Sequence, residues 1–166
     1  MTMGLRTHKR RRRENKTDYK LRLGLLKSGL KRIVVRQTNK YFIIAIVESR
    51  EAQDRVLVNV SSKDLIKEGW DEKYSGSLKS VPAGYLTGIL LAKKFGAKKN
   101  KEKMIVDLGM ARTISGGRVF SVVKGLIDGG FNINANEKAF PSEERIAGEH
   151  LKPELKEMIS KVRGKL

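Results

Sequence analysis

With 166 residues, 39% of them hydrophobic and 33% charged, the chain is long and apolar enough for one domain with its own core, and its net charge of +18 calls for a polyanionic partner. The absence of cysteine excludes disulfides, thiolate zinc sites and cysteine nucleophiles, and two histidines, His8 and His150, are too few for a multi-histidine metal site. No apolar stretch reaches the roughly 18 residues of a membrane span, and none follows the basic N-terminus as a signal peptide requires, so neither a membrane nor a secretory route is expected.

Residues 1–40 carry 14 Lys and Arg against Glu14 and Asp18, a net of +12, while residues 41–166 carry 22 against 16, a net of +6. The peak is Lys9-Arg10-Arg11-Arg12-Arg13, a run that repels itself and cannot pack on a core. It reads either as a disordered solubilising or localising tail, or as an arm that orders against phosphates. The planar arginine fork, which suits phosphate and stacks on bases, favours the arm. Such an arm is expected to be disordered alone and to order on binding. Thr17 reads as a helix N-cap, with Asp18 favoured by the dipole, opening a basic helix over 19–28 that ends near Gly29. Lys16, Lys20, Arg22 and Lys27 crowd this helix, and Leu21, Leu25, Leu26 and Leu30 would press it on the body. Residues 1–30 are thus expected to form a basic arm and helix.

Three strands are expected next, over 32–38, 41–48 and 55–61. Asn39-Lys40 makes a two-residue hairpin turn between the first two, without the preferred Gly at its second position. In the third, Val56, Val58 and Val60 face one way and Leu57 and Asn59 the other. Residues 61–80 read as a polar loop around Gly69-Trp70, with Trp70 as a loop anchor in preference to a base-stacking platform. Pro82 opens a helix that runs to Phe95 and stops at Gly96, with Tyr85, Leu86, Ile89, Leu90 and Ala92 on its apolar face. Gly84 and Gly88, four apart, permit close packing of that helix against a sheet. The continuous apolar run 104–108 fits a strand buried on both faces. A second helix over 118–128 gathers Val119, Val122, Val123, Leu126 and Ile127 and ends at Gly129-Gly130. The order β-β-β-α-β-α predicts an α/β core over 31–133: a mixed sheet, made of an antiparallel meander plus a parallel strand gained through a helical crossover, with packed helices. Residues 134–166 read as a C-terminal helical extension, a short polar element over 141–149 and an amphipathic helix over 152–165 with the stripe Leu155, Met158, Ile159 and Val162.

Chemistry is sparse. Asp107 ends the apolar strand and Asp128 is the other acid of the last α/β segment. A two-metal nuclease needs several converging carboxylates, and Glu48 and Asp54 lie at strand ends, where solvated acids are common. No metal site, catalytic residue, cofactor or small-molecule substrate is expected. Ser115-Gly116-Gly117-Arg118 precedes a helix and reads as one RNA-phosphate contact or as a plain tight turn; its spacing is neither a P-loop nor a dinucleotide fingerprint. Ser61-Ser62-Lys63 has the same two readings, and His150 reads as structural.

The segment Arg10-Arg11-Arg12-Arg13-Glu14-Asn15-Lys16-Thr17-Asp18-Tyr19 resembles the N-terminal signature of the large-subunit ribosomal protein family that binds 5S rRNA. This is family eighteen in bacterial and archaeal naming and family five in eukaryotes; Asn15 stands where its members usually carry Gly. Arg32-Ile33-Val34-Val35-Arg36-Gln37-Thr38-Asn39-Lys40 resembles its first strand and turn, and Ala83-Gly84-Tyr85-Leu86-Thr87-Gly88 the start of its first core helix. Asp107-Leu108-Gly109, then Arg118-Val119-Phe120, then Lys124-Gly125 with Asp128-Gly129-Gly130, resembles its last strand, loop and helix. Glu144-Arg145-Ile146-Ala147-Gly148-Glu149-His150 is similar to archaeal and eukaryotic members in particular, and the resemblance runs from about residue 6 to 150.

The resemblance implies a ribonuclease-H-like layout and a structural, non-catalytic role in the cytoplasmic large ribosomal subunit. It implies 5S rRNA, large-subunit rRNA and neighbouring large-subunit ribosomal proteins as partners. Arg10, Arg11, Arg12, Arg13, Lys16 and Arg22 are expected on RNA phosphates, with Thr17 and Tyr19 in local polar or stacking contacts. Arg32, Arg36, Thr38, Asn39 and Lys40 would form a hairpin patch, joined by Ser62, Lys63, Gly117 and Arg118. Engagement of about five phosphates gives an expected log–log salt slope of about −4. Two other classes stay open, a ribonuclease-H-like nuclease working through Asp107 and a general chromatin-type DNA binder.

Overall fold

The structure, a computed structural model, describes residues 7–51, 53–97 and 102–166. It opens with α1 (Arg10–Arg13), a single turn, and α2 (Tyr19–Lys27). Between them Asn15 takes a φ of +50°, the left-handed region that Gly enters freely and Asn tolerates better than most side chains. Asp18, not Thr17, caps α2: its carboxylate accepts from the N–H groups of Lys20 and Leu21. A charged acceptor at the positive end of the helix dipole outdoes a neutral hydroxyl one residue too early. Thr17 Oγ1 accepts from Arg11 Nε at 2.9 Å instead. The helix stops at Lys27, one residue short of the expected end.

Three antiparallel strands follow, β1 (Arg32–Gln37), β2 (Phe42–Arg50) and β3 (Gln53–Ser61). The turn at Asn39-Lys40 is held by Thr38, whose N–H donates to the Tyr41 carbonyl and whose Oγ1 accepts from the Tyr41 N–H. Neither central residue takes a positive φ, which is why Lys40 fits where a mirror-image turn would want Gly. Along β2, Phe42, Ile44 and Ile46 are buried on one face, and β3 follows with Val60 and Val58. A bulge then lets Val47 pair with Val56, passing over Leu57. Beyond it the strand has turned over, so Val56 is 57% exposed and the alternation read through it fails.

Two 3-10 turns, Ser62–Ile66 and Glu72–Ser77, lead to α3 (Val81–Phe95), which crosses to β4 (Lys103–Asp107). α4 (Arg118–Asp128) then leads to β5 (Asn132–Ile133). β4 lies parallel to β1 and β5 parallel to β4, giving the order β3-β2-β1-β4-β5. The expected mixed sheet is present with one strand more; two residues carry no periodicity, so β5 leaves no trace in the sequence. The segment read as a polar loop buries Ser62, Leu65, Trp70 and Leu78. Trp70 is the anchor, its Nε1 donating to the Tyr74 carbonyl.

α3 and α4 pack on each other and on the face carrying Ile33, Val35, Phe42 and Ile44. A methyl group on Gly88 would stand 2.6 Å from the Val122 carbonyl oxygen, and one on Gly125 2.1 Å from that of Tyr85. The close approach expected against a sheet is therefore made mainly between the two helices, backbone to backbone. α5 (Glu143–Ala147) and α6 (Pro153–Lys165) add Ile146, Met158, Ile159 and Val162 to the same core. α2 is tied to the sheet by Arg22, which pairs with Asp54 on β3; no residue of α2 is buried, Leu25 and Leu26 are half-buried and Leu21 is 45% exposed.

Candidate nucleic-acid interface

Because β4 runs parallel to β1, the segments that leave the two strands emerge at the same end of the sheet. The hairpin turn at 38–41 and the loop 108–117 are thus neighbours, and α4 begins beside them. Together with α5 they enclose an open cleft of about 550 Å³. Thr38, Asn39, Gly117 and Arg118, read from the sequence as separate candidates, share this cleft with Arg112, Ser115 and Arg145. None of the residues lining it is acidic. Among the described residues, Arg112 and Arg118 have no hydrogen-bonding or ion-pair partner for their side chains, and Arg145 reaches only the Gly116 carbonyl, at 3.5 Å. Three guanidinium groups therefore stand in one concavity without a counter-charge.

Sequence reasoning missed Arg112 and Arg145. Arg112 lies in a loop with no period, and Arg145 belongs to a five-residue helix far along the chain. Charge clustering in space left no cluster in sequence.

The arm residues Arg10, Arg11, Arg12 and Arg13 are all exposed, as is Lys16. Glu14 accepts from Arg10 at 2.8 Å and from Lys16 at 2.8 Å, and these cations hold its carboxyl below the ordinary range. Lys9 Nζ sits 4.9 Å from the centre of the Tyr19 ring, so the arm folds back over the start of α2. Lys40 and Lys63 are exposed near the same end of the sheet.

Other candidates are already engaged within the protein. Arg32 is 1% exposed; its guanidinium donates to Asp54 at 2.7 Å, to Ser49 at 2.8 Å and to Asp107 at 3.2 Å. It holds the sheet together and cannot reach a surface ligand. The cause is register: Arg32 lies two residues from Asp107's partner Val34 on β1, hence on the same face of the sheet, and Ser49 on β2 pairs with Asp54 on β3. Arg36 donates to Asp107 Oδ1 at 3.1 Å and to its carbonyl at 2.7 Å, and Arg22 to Asp54 at 2.9 Å; both keep part of their surface. Ser62 is fully buried, its Oγ accepting from the Phe42 N–H at 3.1 Å. Burial pushes the Asp54 carboxyl up, but the donors Ser49, Arg22 and Arg32 outweigh it and hold its pKa at about 2.

The two acids weighed for nuclease chemistry lie apart. Asp107 gives its oxygens to Arg32, Arg36 and the Gly109 N–H. Asp128, at the other end of α4, accepts from the Tyr85 hydroxyl at 2.9 Å and from Lys124 at 3.2 Å. Among the described residues no three His, Asp or Glu side chains come together as a metal site. His150, read as structural, is exposed.

The family model for ribosomal large subunit proteins 60S L5 and 50S L18 matches residues 4–105. The large ribosomal subunit protein uL18 of Methanoregula boonei is 42% identical over 142 residues, covering 86% of this chain and 79% of that protein. That of Methanospirillum hungatei is also 42% identical, with 86% and 78% covered. That of Korarchaeum cryptofilum is 42% identical, with 86% and 70% covered.

Proposed function

The chain belongs to the family of large-subunit ribosomal proteins 60S L5 and 50S L18, a structural component of the large ribosomal subunit, and from that membership we propose that it binds 5S rRNA and helps attach it to the large-subunit rRNA. The observation that carries this reading is the cleft at the end of the sheet, where Arg112, Arg118 and Arg145 stand unneutralised beside the hairpin turn. Arginine forks are suited to phosphate, and a concave cationic surface flanked by an exposed Arg run suits a folded RNA better than a straight duplex. The arm, the exposed parts of Arg22 and Arg36, Lys40 and Lys63 supply further backbone charge. Thr38 and Asn39 offer polar contacts, and Tyr19 an aromatic one. Arg32 and Ser62 act from beneath, by holding the strands that present these groups.

The test compares binding of the intact chain and of a chain lacking residues 1–16 to 5S rRNA and to an equal-length duplex DNA, near physiological salt. Preference for the rRNA, weakened by the deletion, is expected. Equal binding to both leaves a general polycation of the chromatin-binding kind and overturns the reading.

A further inference from the structure

The loop 108–117 carries a feature that charge does not explain. Ile114 is 63% exposed and Met110 52% exposed, among the most exposed large apolar side chains of the described residues. Leu108 and Ala111, in the same loop, pack against the core. The loop is thus not apolar through failure to find a core; it divides its apolar residues between an inward and an outward set.

The outward set is held out by a braced backbone. The Gly109 N–H donates to Asp107 Oδ1 at 2.9 Å, and Ala111 N–H to the Leu108 carbonyl at 3.3 Å. Further on, Gly117 N–H donates to the Ile114 carbonyl at 2.9 Å, Gly116 N–H to the Ala139 carbonyl at 2.9 Å, and Ser115 Oγ to the Lys138 carbonyl at 2.8 Å. A methyl group on Gly117 would stand 2.7 Å from the Ile114 carbonyl oxygen, so the turn that presents Ile114 needs Gly there. Ile114 lines the arginine cleft, and Met110 lines the crevice between the arm and the sheet, beside Arg11 and Lys16. Ile114 is therefore set in a cleft without acids, and Met110 in a crevice where Arg11, Lys16, Arg22 and Arg36 outnumber Asp18 and Asp107; the exposed Arg112 lies between the two along the chain.

Leaving Ile and Met in water forgoes the gain of burying them, and a braced loop that holds both outward beside cations suits a partner surface. Placed singly, Ile114 beside the unpaired Arg112 and Arg118 and Met110 beside Arg11 and Lys16, they lack the contiguous apolar area that a protein interface uses. They match the alternation of nucleic acid, in which apolar sugar and base surfaces lie between phosphates.

We propose that Met110 and Ile114 form the non-electrostatic part of an RNA site, packing against ribose and base surfaces of an RNA whose phosphates lie on Arg112, Arg118 and Arg145. This rests on the RNA reading above and adds to it a division of labour. The arginines provide salt-dependent affinity, and the two apolar side chains provide a salt-independent share.

The experiment measures affinity of the full chain for 5S rRNA across a salt series, for wild type, Met110→Ser/Ile114→Ser and Arg112→Gln/Arg118→Gln. The apolar double variant is expected to lose about tenfold in affinity at every salt concentration, with the log–log slope unchanged. The arginine double variant is expected to lose affinity and to flatten the slope by about 1.5. Gly117→Ala, which must displace Ile114, should lower affinity with little change in slope. All the substituted side chains except that at Gly117 are exposed, so the thermal midpoints of the two double variants should match wild type. Wild-type affinity in the apolar variant overturns the inference. A slope that flattens with the apolar variant also overturns it, because the loss is then one of phosphate contacts. A wild-type chain that does not prefer 5S rRNA over duplex DNA is a separate outcome, and it removes the RNA reading itself.

Discussion

Arg32 sits at the centre of the fold's electrostatics. A guanidinium 1% exposed is tolerable only because Asp107 faces it from the adjacent β4 and Asp54 reaches it from β3, across β2. Its Nε has no protein partner, so the network is not saturated, and losing either carboxylate leaves buried charge poorly matched. Asp107→Asn is expected to lower unfolding free energy by about 3 kcal/mol, read by urea denaturation. The same variant separates the nuclease class, since Mg²⁺-dependent RNA cleavage that disappears with Asp107→Asn would reinstate it. Asp54 gives a pH signature. Its folded pKa is held down to about 2 from an ordinary 3.8, so its contribution is present above 3.8 and is lost as pH falls toward 2. The urea midpoints of wild type and Asp54→Asn should therefore differ at pH 6 and converge as pH approaches about 2.

Among the elements, the α3–α4 contact is the most demanding. Gly84, Gly88 and Gly125 let the helix backbones meet, and each is a poor helix former kept for its lack of a side chain. Gly125→Ala would gain about 1 kcal/mol in helix propensity yet should destabilise by about 2 kcal/mol or more, because its methyl meets the Tyr85 carbonyl and neither backbone can yield. A thermal midpoint at or above wild type would show that the helices can part. α2 behaves oppositely. It buries no residue and leans on the sheet through Arg22 and half-buried leucines. The pattern of leucines in the sequence signals a helix with an apolar side, but not how tightly that side is used.

At the scale of the molecule, stability and charge are kept in different parts. Residues 7–16 bury no side chain, while the helices and sheet share one continuous core that includes α6. Deletion of residues 1–16 should thus leave the thermal midpoint within about 2 °C of wild type while weakening RNA binding and flattening its salt slope. A large fall in midpoint would mean that the arm contributes to the fold. Truncation before Pro153 should do the reverse, exposing Trp70 and the α3 face that Met158, Ile159 and Val162 cover and lowering stability sharply.

What is local or periodic was legible along the chain: α4 to the residue, α3 to within one, the meander, the hairpin turn and the parallel strand. Hydrophobic period and glycine stops are properties of neighbours along the chain, so they survive without a structure. The net charge of +18 was legible as well, because net charge is a sum. Which cations stay unpaired among the described residues emerged only on folding. Arg32 and Arg36 share one strand and look alike in sequence, yet one is buried between carboxylates and the other is partly exposed. Arg112, Arg118 and Arg145 are scattered in sequence, yet they meet at one cleft. Pairing depends on strand register and crossovers, which bring distant residues within ångströms, and no local pattern along the chain encodes that distance.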